Sequence, residues 1–375
     1  MSAHAKLSAS GSHRWLNCPG SVKAEEGFTD SGGIHALEGT RAHDLAELCF
    51  TNDCFADDYL GKELDGGVID DEMVQHVNGY ISYVRTMVAG ADHFEAEQRL
   101  DMTRWIPEGF GTSDIVAIKG TTLYVIDLKY GKGIEVSADN NSQLKLYALG
   151  AIAEFDWVVD IENVVMCIYQ PRRNNVSEAE ATIDELLTWG EWVSEQAKLA
   201  LSADAPRSPG EVQCQWCKAK ATCPALFEHT QKVIGAEFDD LDAAENPDAL
   251  PVDRLKSVLD NKKLIEGYLS AVEKHAMQLA ENGKLPGYKL VEGRSIRRWR
   301  DEAIAVKVLS EQYDNESLFE RMFLSPAKAE KLVGKKGKEQ LSELVEKPRG
   351  KPTLAPEDDK RPAIGDFSKD FENIA

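Results

Sequence analysis

The sequence predicts an α/β fold built on a short sheet, on three observations. Ile115-Val116-Ala117-Ile118 and Leu123-Tyr124-Val125-Ile126 are two runs rich in β-formers, separated by a turn-like Lys119-Gly120, and read as a hairpin. Residues 93–101 alternate like a strand before it, with Phe94, Ala96 and Gln98 on one side and Glu95, Glu97 and Arg99 on the other. Residues 164–170 supply another strand after it, and stretches with helical spacing of apolar residues are interleaved with these strands.

In chain order, residues 1–35 are loop-rich, with a short helix expected around 12–16. Residues 38–50 read as helix, because Ala42, Leu45, Ala46 and Cys49 fall at helical spacing. A Gly- and Asp-rich connection (54–69) leads to a second helix over 70–89, with Val74, Val77, Ile81, Val84 and Val88 on one face. After the hairpin, 141–155 and 183–201 read as helices, the second amphipathic and carrying Trp189 and Trp192. Residues 236–252 read as an acidic linker and 253–282 as a long polar helix. YKLVEGRSIRRW (288–299) reads as a hairpin with a basic second strand. There Arg294, Arg297, Arg298, Arg300 and Trp299 either bind nucleic acid or form a plain surface hairpin. Residues 301–346 look helical with short breaks, including a basic turn at Lys335-Lys336-Gly337-Lys338. From 347 the chain is Pro- and charge-rich and is expected to be disordered.

At 375 residues there is room for two or three domains and a sizeable core. No apolar run reaches the length of a membrane span, and the N-terminus lacks the apolar stretch of a signal peptide. The expectation is a cytoplasmic protein without a membrane partner. Seven cysteines then argue for thiols or metal ligands rather than a disulfide framework. The net charge of −21 argues against tight, autonomous DNA binding, which depends on neutralising phosphates.

The hairpin carries chemistry at its ends. Asp114 precedes the first strand, Asp127 ends the second, and Lys129 lies two positions on, so Asp127 and Lys129 share a face. In an antiparallel pair Asp114 comes beside Asp127. Two acids there can hold a divalent cation, and the lysine can position a water or offset negative charge. Glu97 is either a further acid of that site or a solvated strand residue. Tyr130-Gly131-Lys132-Gly133 is either a turn that lets backbone approach a phosphate or a plain turn. Arg172 and Arg173, where a strand ends, are either phosphate contacts or a solvated pair.

GTSD (111–114) followed by DLK (127–129) resembles the PD-(D/E)XK nuclease superfamily, with Ser113-Asp114 in place of Pro-Asp and Asp127 where many members have Glu. EGTRAHDLAE resembles the Gly-x-x-x-His helix of the RecB-like branch, here Gly39 to His43, and Gln143 with Tyr147 resembles its Gln-x-x-x-Tyr motif. The order helix, strand, strand, strand, helix, strand matches the restriction-endonuclease-like αβββαβ core with a mixed sheet. The resemblance covers about residues 1–230 and implies a metal-dependent nuclease. His43, Asp114, Asp127 and the backbone carbonyl of Leu128 would bind Mg²⁺ or Mn²⁺. Lys129 would orient the attacking water, and Gln143 and Tyr147 would line the DNA side. Lys132, Arg172 and Arg173 are candidate DNA contacts.

Cys214-x2-Cys217-x5-Cys223 is one ligand short of a tetrahedral site, and Cys18 in its Cys-Pro-Gly turn is the candidate fourth. A distant upstream cysteine plus this trio resembles the iron–sulfur RecB-like nucleases, including AddB-type helicase-nuclease subunits and four-cysteine CRISPR-associated nucleases. That implies a 4Fe–4S cluster stapling the N-terminal segment to the end of the domain, with structural Zn²⁺ as the alternative. Cys49, Cys54 and Cys167 read as ordinary thiols.

The expected organisation is therefore a nuclease core with its cluster over 1–235, the linker, a mainly helical extension over 253–346, and the tail. The whole arrangement looks like an uncharacterised phage and prophage family carrying this core. The expected activity is hydrolysis of DNA phosphodiesters, as an exonuclease processing single-stranded DNA or DNA ends in phage replication or recombination. A recombination or single-strand-binding protein would be a natural partner. The alternative is a non-catalytic DNA-binding or recombination-scaffold protein retaining the fold. A third possibility is the same core acting on a specific RNA or damaged DNA.

Overall fold

The computed structural model describes residues 5–28, 34–234, 252–319, 323–346, 348, 350, 352–356 and 360–363. The chain divides into two compact units, Met1–Tyr268 and Leu269–Ala375. The expected linker at 236–252 lies, apart from its last residue, outside the described residues.

The first unit opens with short helices α1 (Ser12–Trp15) and α2 (Ser21–Ala24), followed by α3 (Ile34–Thr51). A small ladder of β1 (Glu63–Leu64) and β2 (Gly67–Val68) precedes α4 (Asp71–Met87). The central strands are β3 (His93–Asp101), β4 (Phe110–Lys119) and β5 (Thr122–Leu128), then β6 (Asn163–Gln170) and β7 (Asn175–Thr182) after helix α5 (Ser142–Phe155). Helices α6 (Ile183–Leu201), α7 (Glu211–Gln215), α8 (Pro224–Ile234), α9 (Val252–Asp260) and α10 (Lys262–Glu281) follow, and the unit boundary falls within α10.

The five strands form one mixed sheet in the order β3-β4-β5-β6-β7. Only β5 and β6 run parallel, with Asp127 paired to Ile168. A parallel neighbour requires a crossover, and α5 makes it. The helix therefore starts close to where β5 ends, at the functional end of the sheet. Local sequence enforces this start: Asn141 caps α5, its side-chain oxygen accepting from the Gln143 and Leu144 amides at 3.1 and 3.2 Å. Asp70 caps α4 by accepting from Met73 N at 2.9 Å, and Thr182 with Glu185 forms a capping box on α6.

The sheet is buried on both faces. Val116, Ile118, Leu123, Val125 and Met166 point to a core shared with α5, α6 and Leu7, Ala9 and Trp15 of the N-terminal segment. Ile115, Ala117, Ile126, Leu128 and Cys167 point to the other, shared with α3 and α4. Both β4–β5 strands therefore read as continuous apolar runs rather than alternating ones. The turn between them needs Gly120, whose φ is +58°.

Several expectations require correction. β7 was not foreseen as a strand: NVSEAEAT alternates half-buried and exposed positions but carries almost no large apolar residue, because it is an edge strand with an open outer face. The alternation expected along β3 breaks at Glu97, whose φ is +51°. Ala96 packs on the α3–α4 side, with Phe94 against Phe50 there, whereas Leu100, of the same parity, packs on the α5 side. The pairing register stays constant across the reversal, with Ala96 opposite Ile115 and Gln98 opposite Ser113. The long helix expected over 253–282 is interrupted at Asn261, whose side chain meets His229 Nε2 at 3.1 Å.

In the second unit, 288–299 is not a hairpin. β8 (Tyr288–Glu292) pairs with β11 (Pro352–Pro356), a strand in the tail expected to be disordered. β9 (Arg298–Trp299) pairs with β10 (Val345–Glu346). Helices α11 (Glu302–Ser310), α12 (Asn315–Leu318) and α13 (Pro326–Leu344) contribute Leu309, Leu318, Ala329 and Leu341 to a small core, which Leu324 joins from the connection before α13. Trp299 belongs to that core: it stacks on Phe323 at 5.2 Å and donates to Leu324 O at 3.1 Å, so it is not free to stack on a base. Arg297 and Arg298 are ion-paired to Glu330 and Glu346. The lysines at 335–338, expected in a turn, lie within α13, whose one non-helical residue is Gly334.

Candidate metal centre and cysteine cluster

Two sets of side chains converge where β3, β4 and β5 meet the first turn of α5. The first comprises His43 from α3, Glu97 from β3 and Asp114 from β4. His43 Nδ1 lies 3.2 Å from Asp114 Oδ1 and 3.9 Å from Glu97 Oε1. One ligand atom from each of the three lies within 4.8 Å of the others, and this is the one such His/Cys/Asp/Glu group among the described residues. Asp114 is fixed across the hairpin, its Oδ2 accepting from Leu128 N at 2.6 Å.

The second set is Asp127, Lys129, Gln143 and Tyr147. Lys129 Nζ sits 2.7 Å from Asp127 Oδ2 and donates to Gln143 Oε1 at 3.0 Å. The amide nitrogen of Gln143 donates to Asp127 Oδ1 at 3.0 Å and to the Tyr147 hydroxyl at 3.3 Å. One glutamine thus reads the acid and the lysine together, which its spacing from Tyr147 on α5 permits. The ring of Tyr147 reaches this position because Gly111 has no side chain: a Cβ there would lie 2.8 Å from Tyr147 Cε1.

The charges are interdependent. Burial opposes an imidazolium at His43, but the Asp114 carboxylate overrides it and raises the pKa to about 9. Asp114 is held below the usual carboxylate range: burial would raise it, and the facing His43 more than reverses this. Glu97 is pushed up to about 7 by burial and then by Asp114. At Asp127 burial prevails over the Lys129 ammonium, with Asp114 adding repulsion, so its pKa is raised. Burial disfavours a charged Lys129, yet Asp127 and Asp114 raise its pKa and keep it protonated.

The structure therefore brings His43, Asp114, Asp127, Lys129, Gln143 and Tyr147 together, with the backbone of Leu128 beside Asp114. Asp127 is not in the compact ligand triad: Lys129 and Gln143 engage its two oxygens. Glu97 occupies that place instead, and sequence reasoning gave it only as one of two alternatives. The available signal was register, since 97 falls opposite 114 once 96 and 98 are paired to 115 and 113.

The candidate DNA contacts are engaged with acids and backbone. Arg172 lies between Glu38 and Glu72 at 2.8 and 3.2 Å, and Lys132 reaches Glu72 at 2.9 Å. Arg173 donates to Gly133 O at 2.8 Å and lies 3.7 Å from Glu135.

Cys18, Cys214, Cys217 and Cys223 line one cavity together with Arg207, Lys220 and Leu226. Gly20 lets two remote segments meet there. It donates to Pro206 O at 2.8 Å, and a Cβ on it would lie 2.6 Å from Ala205 O. Backbone amides point at two of the sulfurs: Ser208 N at 3.3 Å from Cys18 Sγ and Gly210 N at 3.5 Å from Cys214 Sγ. No three of the four sulfurs lie within 4.8 Å of one another. Burial raises the pKa values of the Cys18, Cys214 and Cys217 thiols, that of Cys217 to about 12.

Fold and site together define a mixed α/β protein with a buried acid–imidazole–lysine constellation at one end of a five-stranded sheet. Residues 4–362 match the family described as "Protein of unknown function (DUF2800)", and the chain belongs to that family. Among solved structures, one titled "Crystal structure of SSO0001" is similar to 56% of this chain and 95% of its own length, at 15% identity and a TM-score of 0.23, too slight a likeness to define a shared fold. Among the described residues, no helix is long and apolar enough to cross a membrane.

Proposed function

We propose that this protein is a metal-dependent DNA nuclease of the RecB-like PD-(D/E)XK kind, with a restriction-endonuclease-like core in its first unit. One observation carries the reading: the half-buried Asp114 and the buried Asp127 lie between an imidazole–carboxylate group (His43, Glu97) and a lysine, Lys129, held by a glutamine. A structural network would need no such surplus of acids, with Glu97 and Asp127 raised by burial and then by repulsion from Asp114.

The oxygen and imidazole donors of His43, Glu97 and Asp114 suit Mg²⁺ or Mn²⁺, and their mutual spacing is one that a single ion can bridge. Such an ion supplies a polarised phosphoryl oxygen and a water of lowered pKa. Lys129, protonated and oriented by Asp127 and Gln143, offsets the charge that develops on the phosphate as water attacks. Tyr147 and Gln143 hold the strand beside it. The water oxygen bonds to phosphorus, its proton departs to solvent, and the leaving oxygen takes the bonding pair and a proton.

Cys18, Cys214, Cys217 and Cys223 are proposed to hold a 4Fe–4S cluster. Zinc–thiolate bonds of ~2.3 Å would draw four sulfurs closer together than a cubane does, and backbone amides aimed at sulfur suit a cluster. The cluster staples the N-terminal segment to α7 and performs no hydrolysis. The natural setting is processing of DNA ends in phage replication or recombination, in the cytoplasm, with DNA delivered by a partner.

End-labelled single- and double-stranded DNA with Mn²⁺ tests the reading. The wild type should cut, and Asp127→Ala and Lys129→Ala should each cut at least ~10²-fold more slowly. Variants that cut as fast as wild type would sink it. Binding without any cleavage is the signature of the rival scaffold reading; the net charge of −21 and the engaged Lys132, Arg172 and Arg173 weigh against tight autonomous DNA binding under either reading.

A further inference from the structure

We propose that Tyr80 is a positioning residue of the metal centre, its hydroxyl donating a hydrogen bond to a water bound on the ion held by His43, Glu97 and Asp114. The proposal rests on the metal-site reading above. Tyr80 sits on the buried stripe of α4 with Val77, Ile81 and Val84, where sequence alone gives it the look of a core residue. It is 1% exposed, yet its hydroxyl has no hydrogen-bond partner. Buried polar groups are overwhelmingly paired, so such an orphan in a core calls for a specific cause.

The cause is its location. Tyr80 lines the same small cavity as His43, Glu97, Asp114 and Leu128. Its ring is fixed from two sides, edge-on to Phe50 at 5.9 Å and tilted against Tyr169 at 5.5 Å, which leaves the hydroxyl little freedom to seek a partner elsewhere. The acceptors nearby are already committed: Asp114 accepts from Leu128 N and faces His43, and Glu97 faces the same imidazole. A phenol is ordinarily protonated at neutral pH, so the hydroxyl is available as a donor. A donor with no protein acceptor, lining a cavity with three ligand-type side chains, finds its acceptor in the water that comes with a cation. Outer-sphere donors of this kind orient bound water and tune its affinity.

The test is Tyr80→Phe in the full chain, with Mn²⁺ alone as the probe and free Mn²⁺ counted by electron paramagnetic resonance. Asp114→Asn is the site control. The expected result is Mn²⁺ binding weakened ~10-fold and a metal-free melting temperature equal to or above that of the wild type, because phenylalanine removes an unpaired hydroxyl. Unchanged Mn²⁺ affinity in Tyr80→Phe, with Asp114→Asn impaired, overturns the role of Tyr80 and leaves the site standing. A lowered metal-free melting temperature overturns it too, since the hydroxyl would then have a partner within the fold. So does a tyrosinate ultraviolet band appearing on Mn²⁺ addition, which would make Tyr80 a direct ligand. Wild type that binds no more Mn²⁺ than Asp114→Asn overturns both the proposal and the metal site. Failure of DNA cleavage with normal Mn²⁺ binding overturns the nuclease reading alone.

Discussion

The acid–imidazole site and the cysteine cavity both gather residues from distant parts of the chain, but they are assembled by opposite means. In the first, the residues neutralise one another: His43 pairs with Asp114, and Lys129 with Asp127. The site is organised by its own charges. In the second, four cysteines line one cavity without a shared partner, and burial favours neutral thiols at Cys18, Cys214 and Cys217. Neutral thiols attract one another little, so on the proposed reading a bound metal group supplies cohesion that these side chains lack. On the proposed reading, loss of an ion from the first site should therefore leave the fold intact, and loss of a metal group from the cysteines should not.

The largest effect expected from this contrast is at the cysteines. Cys217→Ser should abolish iron incorporation and lower the melting temperature by about 10 °C or more, because the energy of binding a structural metal group is folding energy. Equal stability with iron lost would erase the contrast. Zinc in place of iron, by elemental analysis, would sharpen it to a different group.

Within the first site, Gln143→Ala should slow DNA cleavage ~10–100-fold by releasing Asp127 and Lys129 from their shared support, with little change in stability. A large fall in melting temperature instead would mean that the network serves folding rather than catalysis.

A smaller effect concerns pH. Glu97 and His43 both have raised folded-state pKa values, so their protonated forms are favoured in the metal-free fold. That contribution is fully present below their unfolded values and is lost as pH rises through about 7 for Glu97 and about 9 for His43. Metal-free protein should lose stability across that window, and Mn²⁺ should restore more of it the higher the pH, since binding must displace those protons. Calorimetry with and without Mn²⁺ measures both. A Mn²⁺-dependent gain that shrinks with rising pH would remove His43 and Glu97 from the ligand set.

The parts of this site legible in the sequence are those whose partners are close in the chain. Asp127 and Lys129 share a strand face by period, Gln143 and Tyr147 a helix face, and Asp114 reaches Asp127's strand through a two-stranded turn. Glu97 was ambiguous because its aim depends on a backbone distortion that no residue-type preference signals, glutamate being an ordinary strand-surface residue. Tyr80 was invisible because one hydroxyl does not disturb an apolar stripe. β7 was missed because an edge strand needs little hydrophobicity. In the second unit, the pairing of β8 with β11 spans about sixty residues, a distance over which alternation says nothing about partners. The nearby β9 was the natural partner by proximity, and it was the wrong one.

The reversal at Glu97 has a thermodynamic corollary. A glutamate held at positive φ costs about 1–2 kcal/mol relative to glycine, which adopts that conformation freely. The strand would be more stable with glycine there and less able to hold a cation. Position 97 is thus a point at which selection for stability and selection for activity pull in opposite directions. If the proposed metal site is right, position 97 is one of the first places where a stabilising substitution should accumulate once metal binding is no longer selected.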